Sequence, residues 1–137
     1  MRGIAGIDPG WGVTAVRIAT GLILLHAGYQ KVAGGLDDVA AGFAGMGIPL
    51  ANLVGPAVAI FELVGGAALL AGLFGRWLGL LVALQFAVIS FAIKGPGGPF
   101  KELYLDVLLL AAGLLLFLAG SGRAAVDNVW PRGRRGA

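Results

Sequence analysis

Four long apolar stretches run through the sequence, and charged or turn-forming segments separate them. A membrane with a hydrocarbon core of about 30 Å needs about 20 residues for one helical crossing. The apolar pattern therefore predicts four transmembrane helices, at about residues 11–32, 52–74, 77–93 and 102–119. The expected fold class is all-α, a membrane four-helix bundle.

The segments between the apolar stretches predict where the helices stop. After the first span, Asp37 and Asp38 can cap a short amphipathic helix at about residues 39–46. This helix is too short to cross a membrane, so we expect it to lie at the interface between spans one and two. The glycine- and proline-rich segment 95–99 predicts a turn between spans three and four.

The composition supports a membrane protein. Hydrophobic residues make up 58% of the 137 positions and charged residues 12%, with a mean hydropathy of +0.92. Soluble domains carry about 25% charged residues. We therefore expect residues 1–137 to form a single integral membrane domain, without a soluble catalytic domain. No small-residue cleavage site follows the first apolar stretch, so we expect it to be a retained span and not a signal peptide.

The chain contains no cysteine and one histidine, His26. The lack of cysteine excludes thiol chemistry and Cys-ligated metal centres in this chain, and one histidine without convergent partners predicts no metal site. On the first span His26 lies opposite Arg17, which favours a neutral residue hydrogen-bonded to a neighbour or another subunit. Any redox role needs a cofactor from elsewhere, so the chain is at most a non-autonomous subunit of an enzyme.

The basic residues predict the orientation in the membrane. With a cytoplasmic N-terminus, six arginines fall inside, whereas three lysines and two aspartates fall outside. The positive-inside rule then places both termini in the cytoplasm, with residues 120–137 as an Arg-rich tail. Trp11 and Trp77 fall at the predicted inner boundary, and Tyr29 and Tyr104 near the outer one. The net charge of +3 comes mostly from this tail, and no basic patch with interleaved aromatics predicts nucleic-acid binding.

Three of the four spans carry ionisable residues. A charge near the middle of a span costs roughly 2.5–3.5 kcal/mol, so such residues usually face the protein interior. Each residue of an α-helix is rotated by about 100° from the one before it. By this rotation, the charged residues of each of these three spans lie on the same face as glycines, and small residues are typical of contacts between membrane helices. In span three, the polar residue Gln85 lies away from the small-residue face. The predicted packing glycines are Gly21, Gly28, Gly65, Gly66 and Gly113.

Depth predicts which charged residues meet. Glu62 lies about 15 Å and Arg17 about 21 Å from the outer ends of their helices, a gap that an arginine side chain can close. We therefore predict a buried Arg17–Glu62 ion pair, which either only fixes the register of spans one and two or takes part in function. Lys31, Glu102 and Asp106 are predicted at an outer rim. We expect Glu102 to be a solvated charge at this rim. Asp106 lies one turn deeper and is expected to have either a structural or a functional role.

Several short motifs lie along the chain. They are Arg17-x-x-x-Gly21, Gly28-x-x-Lys31, Met46-Gly47-Ile48-Pro49, Glu62-x-x-Gly65-Gly66, Leu69-Leu70-x-Gly72-Leu73, Arg76, the segment from Gly98 to Glu102, and Asp127. Together they resemble the DoxX family of small four-helix bacterial membrane proteins, over nearly the whole chain. By that resemblance Arg17, Lys31, Glu62 and Gly66 are motif positions. The family includes members similar to the small subunit of thiosulfate:quinone oxidoreductase, to terminal quinol oxidase subunits, and to proteins of oxidative and thiol stress responses.

Two classes of function follow from these observations. The first is a membrane subunit of a quinone-linked oxidoreductase or oxidative-stress complex, with a buried polar pocket between spans one, two and four. The quinone and the location in the bacterial inner membrane are implied by the resemblance alone. The second is a non-enzymatic small-solute permease, or a scaffold that anchors a soluble partner. In either class the chain contacts the lipid bilayer, and we expect a homo-oligomer or a complex with another redox subunit.

Overall fold

The computed structural model describes residues 6–93 and 100–129. The described chain is helical: α1 is Gly10–Gly34, α2 is Leu36–Gly45, α3 is Ala51–Ala71, α4 is Gly75–Ala87 and α5 is Phe100–Ala119. A π-helix, Val88–Ile93, continues α4, and a short 3₁₀ turn, Val126–Asn128, follows α5. The all-α fold class is confirmed. Helices α1 and α3 are long and apolar enough to cross a membrane, and Gly75–Phe91 and Leu103–Ala119 are shorter apolar helices.

The four long helices begin and end close to the predicted spans. When the π-helix is counted with α4, the largest difference is three residues, at the end of α3, which was expected at residue 74 and ends at Ala71. There Gly72, with a φ of 78°, closes the helix in the left-handed conformation that glycine adopts most easily. The turn predicted at residues 95–99 lies outside the described residues.

The short helix between the first two spans is present, but it begins earlier than predicted. Asp37 and Asp38 lie inside the first turn of α2, and neither side chain forms a capping hydrogen bond. The residue before the helix is Gly35, whose φ of 106° turns the chain sharply out of α1. The two carboxylates still favour this helix, because negative charge is stabilising near a helix N-terminus.

The long helices pack as two pairs, α1 with α3 and α4 with α5, and glycines allow the two backbones of each pair to touch. In the pair α1–α3, a Cβ atom added to Gly66 would lie 2.4 Å from the backbone nitrogen of Leu25. In the pair α4–α5, a Cβ added to Gly79 would lie 2.7 Å from the carbonyl oxygen of Gly113, and one on Gly113 would lie 2.6 Å from that of Gly79. Only glycine permits such backbone contact, which is a common device of membrane helices.

The core and the outer surface are both apolar. The buried core contains Leu24, Leu69, Val82, Phe86, Leu109 and Leu116. Large apolar side chains also cover the outside, including Leu53, Leu108 and Leu118, which are 70%, 62% and 72% exposed. Such surfaces suit contact with lipid. Trp11 and Trp77 are exposed at the end of the bundle where α1 and α4 begin.

Candidate functional site between the helix pairs

Glu62 is the centre of a buried polar network. The residue lies in the middle of α3 and is only 3% exposed. Its Oε2 atom accepts a hydrogen bond and ion pair from Nζ of Lys31, near the end of α1. Its Oε1 atom accepts a second hydrogen bond, 2.8 Å long, from Nε2 of Gln85 in α4. Both carboxylate oxygens are therefore bound, each by a different helix.

The close approach of α1 and α3 brings Lys31 to this carboxylate. A Cβ atom on Gly28 would lie 2.3 Å from the backbone nitrogen of Leu63 and 2.8 Å from the carbonyl carbon of Glu62. The two backbones thus touch beside Glu62, one helical turn before Lys31. The lysine side chain is 31% exposed and that of Glu62 only 4%, so the ammonium group reaches from the edge of the bundle to an interior carboxylate.

A cavity of about 780 Å³ lies between the two helix pairs, next to this network. We call it the central cavity. Its walls are apolar side chains from all five helices, among them Leu24, Phe43, Phe61, Phe86 and Leu109. Its polar lining consists of Lys31, Glu62, Gln85 and Asp106. The combination of a large apolar volume with one polar cluster is typical of a site for an amphiphilic small molecule.

The predicted Arg17–Glu62 ion pair is corrected by the structure. Arg17 lies beside Gly72, where an added Cβ would be 3.1 Å from its Nη1 atom, whereas Glu62 lies beside Gly28. Ten residues of α3 separate these two levels, which corresponds to about 15 Å. The depth estimate failed because it took the end of α1 to lie level with the start of α3, whereas the glycine contacts of these antiparallel helices fix a different register.

Arg17 instead binds the chain that follows α5. It is 2% exposed, and its Nη1 and Nη2 atoms donate to the carbonyl oxygens of Ser121 and Ala124, the second at 2.6 Å. Nearby, Oγ1 of Thr14 accepts hydrogen bonds from the backbone N–H groups of Arg123, at 2.9 Å, and Ala124, at 3.3 Å. The first helix thus holds residues 121–124 against the end of the bundle.

An ion pair ties the same segment to the residues before α1. Arg123 donates to Asp8, and this hydrogen bond, together with one from the backbone N–H of Gly10, lowers the pKa of the Asp8 carboxyl below its ordinary value of 3.8. The side chains of Arg123 and Asp8 are 57% and 40% exposed, so the contribution of this ion pair to stability is small.

The other predicted site residues are distributed as follows. Lys31 belongs to the Glu62 network, and Asp106, 7% exposed, lines the central cavity. Glu102 lies in α5, one turn before Asp106, but its side chain is outside the described part of the structure. His26 is exposed on α1. Within the described residues, no group of three or more His, Asp or Glu side chains could hold a metal ion.

The predicted packing glycines lie at helix contacts to different degrees. Gly21, Gly28 and Gly66 lie where α1 meets α3, and Gly113 lies where α5 meets α4. Gly65 differs, because an added Cβ would be 3.4 Å from its nearest neighbour, the ring of Phe61, which is an ordinary contact distance.

Sequence reasoning did not identify Gln85 as part of the site. Gln85 does not lie on the small-residue face of span three, so its side chain was predicted to point away from that helix contact. The small-residue face of α4 packs on α5. Gln85 lies on a different side of α4, which faces the central cavity and α3. The available signal was the polarity of Gln85 in an otherwise apolar stretch, since buried polar groups in membranes need a partner.

Comparisons with known proteins give a family and one named relative. A sequence model described as DoxX matches residues 12–95. The chain is 31% identical over 126 residues to a Bacillus subtilis (strain 168) protein named "Putative oxidoreductase CatD", a match that covers 90% of each chain. No solved structure matches the chain significantly.

Proposed function

The chain belongs to the DoxX family of membrane proteins, and on that premise we propose that it is the membrane subunit of a quinone-linked oxidoreductase complex. In this proposal the central cavity receives the ring of a quinone. The observation that carries it is the position of the Lys31–Glu62–Gln85 network on a mostly apolar cavity of about 780 Å³. This volume lies within the range of about 300–1,000 Å³ that is usual for small-molecule sites.

The lining residues fit the groups of such a ligand. A quinone has two carbonyl oxygens on a flat apolar ring, and its reduction to the quinol takes up two electrons and two protons. The Lys31 ammonium and the Gln85 amide can donate to a carbonyl oxygen. The Glu62 carboxylate can accept the hydroxyl proton of the quinol. The aromatic walls, Phe43, Phe61 and Phe86, can pack on the ring and exclude water.

The electrons in this scheme come from a redox partner protein. The chain has no cysteine, so it carries no thiol that could cycle between oxidised and reduced forms. Its role is therefore to bind the quinone, orient it and hold protons at Glu62 and Asp106, while a partner subunit supplies or receives the electrons. The name of the Bacillus subtilis relative, which contains the word oxidoreductase, is in line with this role.

The experiment is a binding measurement on the purified protein in lipid nanodiscs with a short-chain benzoquinone and a short-chain naphthoquinone. We expect saturable binding and a rise in melting temperature with at least one of them. Ala57→Phe should abolish both, because Ala57 lines the central cavity. The matched control is Ala67→Phe, on the same helix and exposed outside the cavity, which should bind as the unmodified protein does.

Substitutions that keep size test the polar cluster. Glu62→Gln and Asp106→Asn should each weaken quinone binding, whereas Glu102→Gln, one turn away from Asp106, should change it much less. Equal binding by the Ala57→Phe and Ala67→Phe variants would contradict the proposal. Stabilisation by small polar solutes, without any by quinones, would instead support a solute permease.

A further inference from the structure

We propose that a second cavity, at the end of the bundle where α1 and α4 begin, binds the phosphate head group of an anionic phospholipid. This end cavity also has a volume of about 780 Å³ and shares no lining residue with the central cavity. It lies where α1 and α4 begin and α5 ends. Its lining includes Gly10, Phe74, Arg76, Trp77, Gly120 and Arg123. The inference is independent of the proposed quinone site.

Two arginines from different segments of the chain line the end cavity. Arg76 extends from the first turn of α4 until its Nη2 atom lies beside Gly120, 3.6 Å from the position of an added Cβ. Arg123 follows α5 and lies against Gly10, where an added Cβ would be 2.9 Å from its Cγ atom. A bidentate arginine is the side chain best suited to a phosphate group.

The charges around the end cavity leave Arg76 available for a ligand. Asp8 forms an ion pair with Arg123 and so offsets that charge. Among the acidic side chains that the structure describes, none forms an ion pair with Arg76. Arg76 is exposed, and the positive-inside rule assigns this end to the arginine-rich side of the membrane. An anion is therefore the complementary ligand.

The surroundings of the cavity favour a lipid over a soluble anion. Phe74 and Trp77, which line it, are 65% and 64% exposed. Exposed aromatic side chains at the end of a membrane helix bundle lie at the level of the lipid head groups. The phosphate can thus bind Arg76 while the acyl chains lie along the exposed apolar face of the bundle. Basic pockets between membrane helices on the cytoplasmic side commonly bind anionic lipids in this way.

The experiment compares lipids that differ only in head-group charge. The purified full-length chain is examined by native mass spectrometry and by thermal unfolding, with phosphatidylglycerol, phosphatidylcholine or inorganic phosphate added. We expect phosphatidylglycerol to be retained and to raise the melting temperature, with little effect of phosphatidylcholine. Arg76→Gln should weaken the retention about fivefold, since one arginine near the membrane surface contributes roughly that factor.

Two control variants distinguish specific lipid binding in the end cavity from a general attraction of anionic lipid to positive charge. Arg134→Gln removes the same charge from the tail and should retain the lipid as the unmodified protein does. Ala119→Phe fills the end cavity without changing charge and should lose the lipid, whereas Ala111→Phe, exposed elsewhere on α5, should keep it. Equal effects of Arg76→Gln and Arg134→Gln, or equal effects of the two alanine variants, would overturn the proposal. Binding of inorganic phosphate as tight as that of phosphatidylglycerol would also overturn it, in favour of a soluble anion.

Discussion

At the scale of single residues, the main feature of this protein is where its buried charges find partners. Glu62 binds Lys31 and Gln85 in the interior, whereas Arg17 binds backbone carbonyl groups near one end. Each charge is buried at a cost that only good hydrogen bonding offsets. The removal of one partner should therefore have a larger effect than the removal of both.

We expect Lys31→Met to lower the free energy of unfolding by roughly 3 kcal/mol, the lower end of the range for a buried pair, because the lysine is partly exposed. The double variant Lys31→Met/Glu62→Gln should recover a large part of this loss, since it no longer contains a stranded carboxylate. Unfolding in mixed detergent measures all four proteins of the cycle. Strictly additive losses would show that the two residues are not coupled.

We expect Arg17→Gln to release the segment after α5, because its two guanidinium hydrogen bonds hold the carbonyl groups of Ser121 and Ala124. The measurement is the rate of trypsin cleavage after Arg123 in the detergent-solubilised protein, which should rise. Arg17→Lys should give an intermediate rate, because one ammonium group does not reproduce the fork of a guanidinium. An unchanged cleavage rate in Arg17→Gln would contradict the assignment.

At the scale of helices, the two close pairs depend on a few glycines. Gly28 and Gly66 allow the backbones of α1 and α3 to touch, and Gly79 and Gly113 do the same for α4 and α5. The α1–α3 contact also sets the register that brings Lys31 to Glu62. A change at this contact should therefore affect both stability and the polar network.

We expect Gly28→Ala to destabilise the protein by about 1–3 kcal/mol, the usual cost of overpacking. The added methyl group would lie 2.3 Å from a backbone nitrogen of α3, so the helices must separate. Gly12→Ala on the same helix is the control, because nothing lies within 4 Å of its added Cβ. It should be neutral or slightly stabilising, since alanine favours helix. Equal melting temperatures for the two variants would contradict the packing argument.

At the scale of the whole molecule, the bundle consists of two close pairs with the central cavity between them. The polar network and the end cavity lie at different levels along the helices. The fold therefore offers one site inside the bundle and another at the level of the head groups. The topology of the chain decides whether the end cavity lies on the cytoplasmic or the outer side of the membrane.

The basic residues predict both termini in the cytoplasm. A reporter that is active only in the cytoplasm should be active when fused after Ala137, and a reporter that requires export should be silent at the same position. The control is a fusion in the link between α2 and α3, after Pro49, which should give the opposite pattern. If the two fusions show the reverse of this, the end cavity lies on the outer side.

The sequence by itself determined the number and approximate bounds of the helices, because continuous apolar stretches and glycine- or proline-rich breaks are local features. It also identified Gly28, Gly66 and Gly113 as contact residues and Glu62 as a buried charge, since both follow from the face on which a residue lies. The partners of the charges were decided by the tertiary structure alone. Arg17 and Lys31 lie on the same face of α1, and only the register set by Gly28 against Leu63 selects Lys31 for Glu62. Gln85 joins them only because α4 lies across the central cavity from α3, a relation between distant segments that no local pattern encodes.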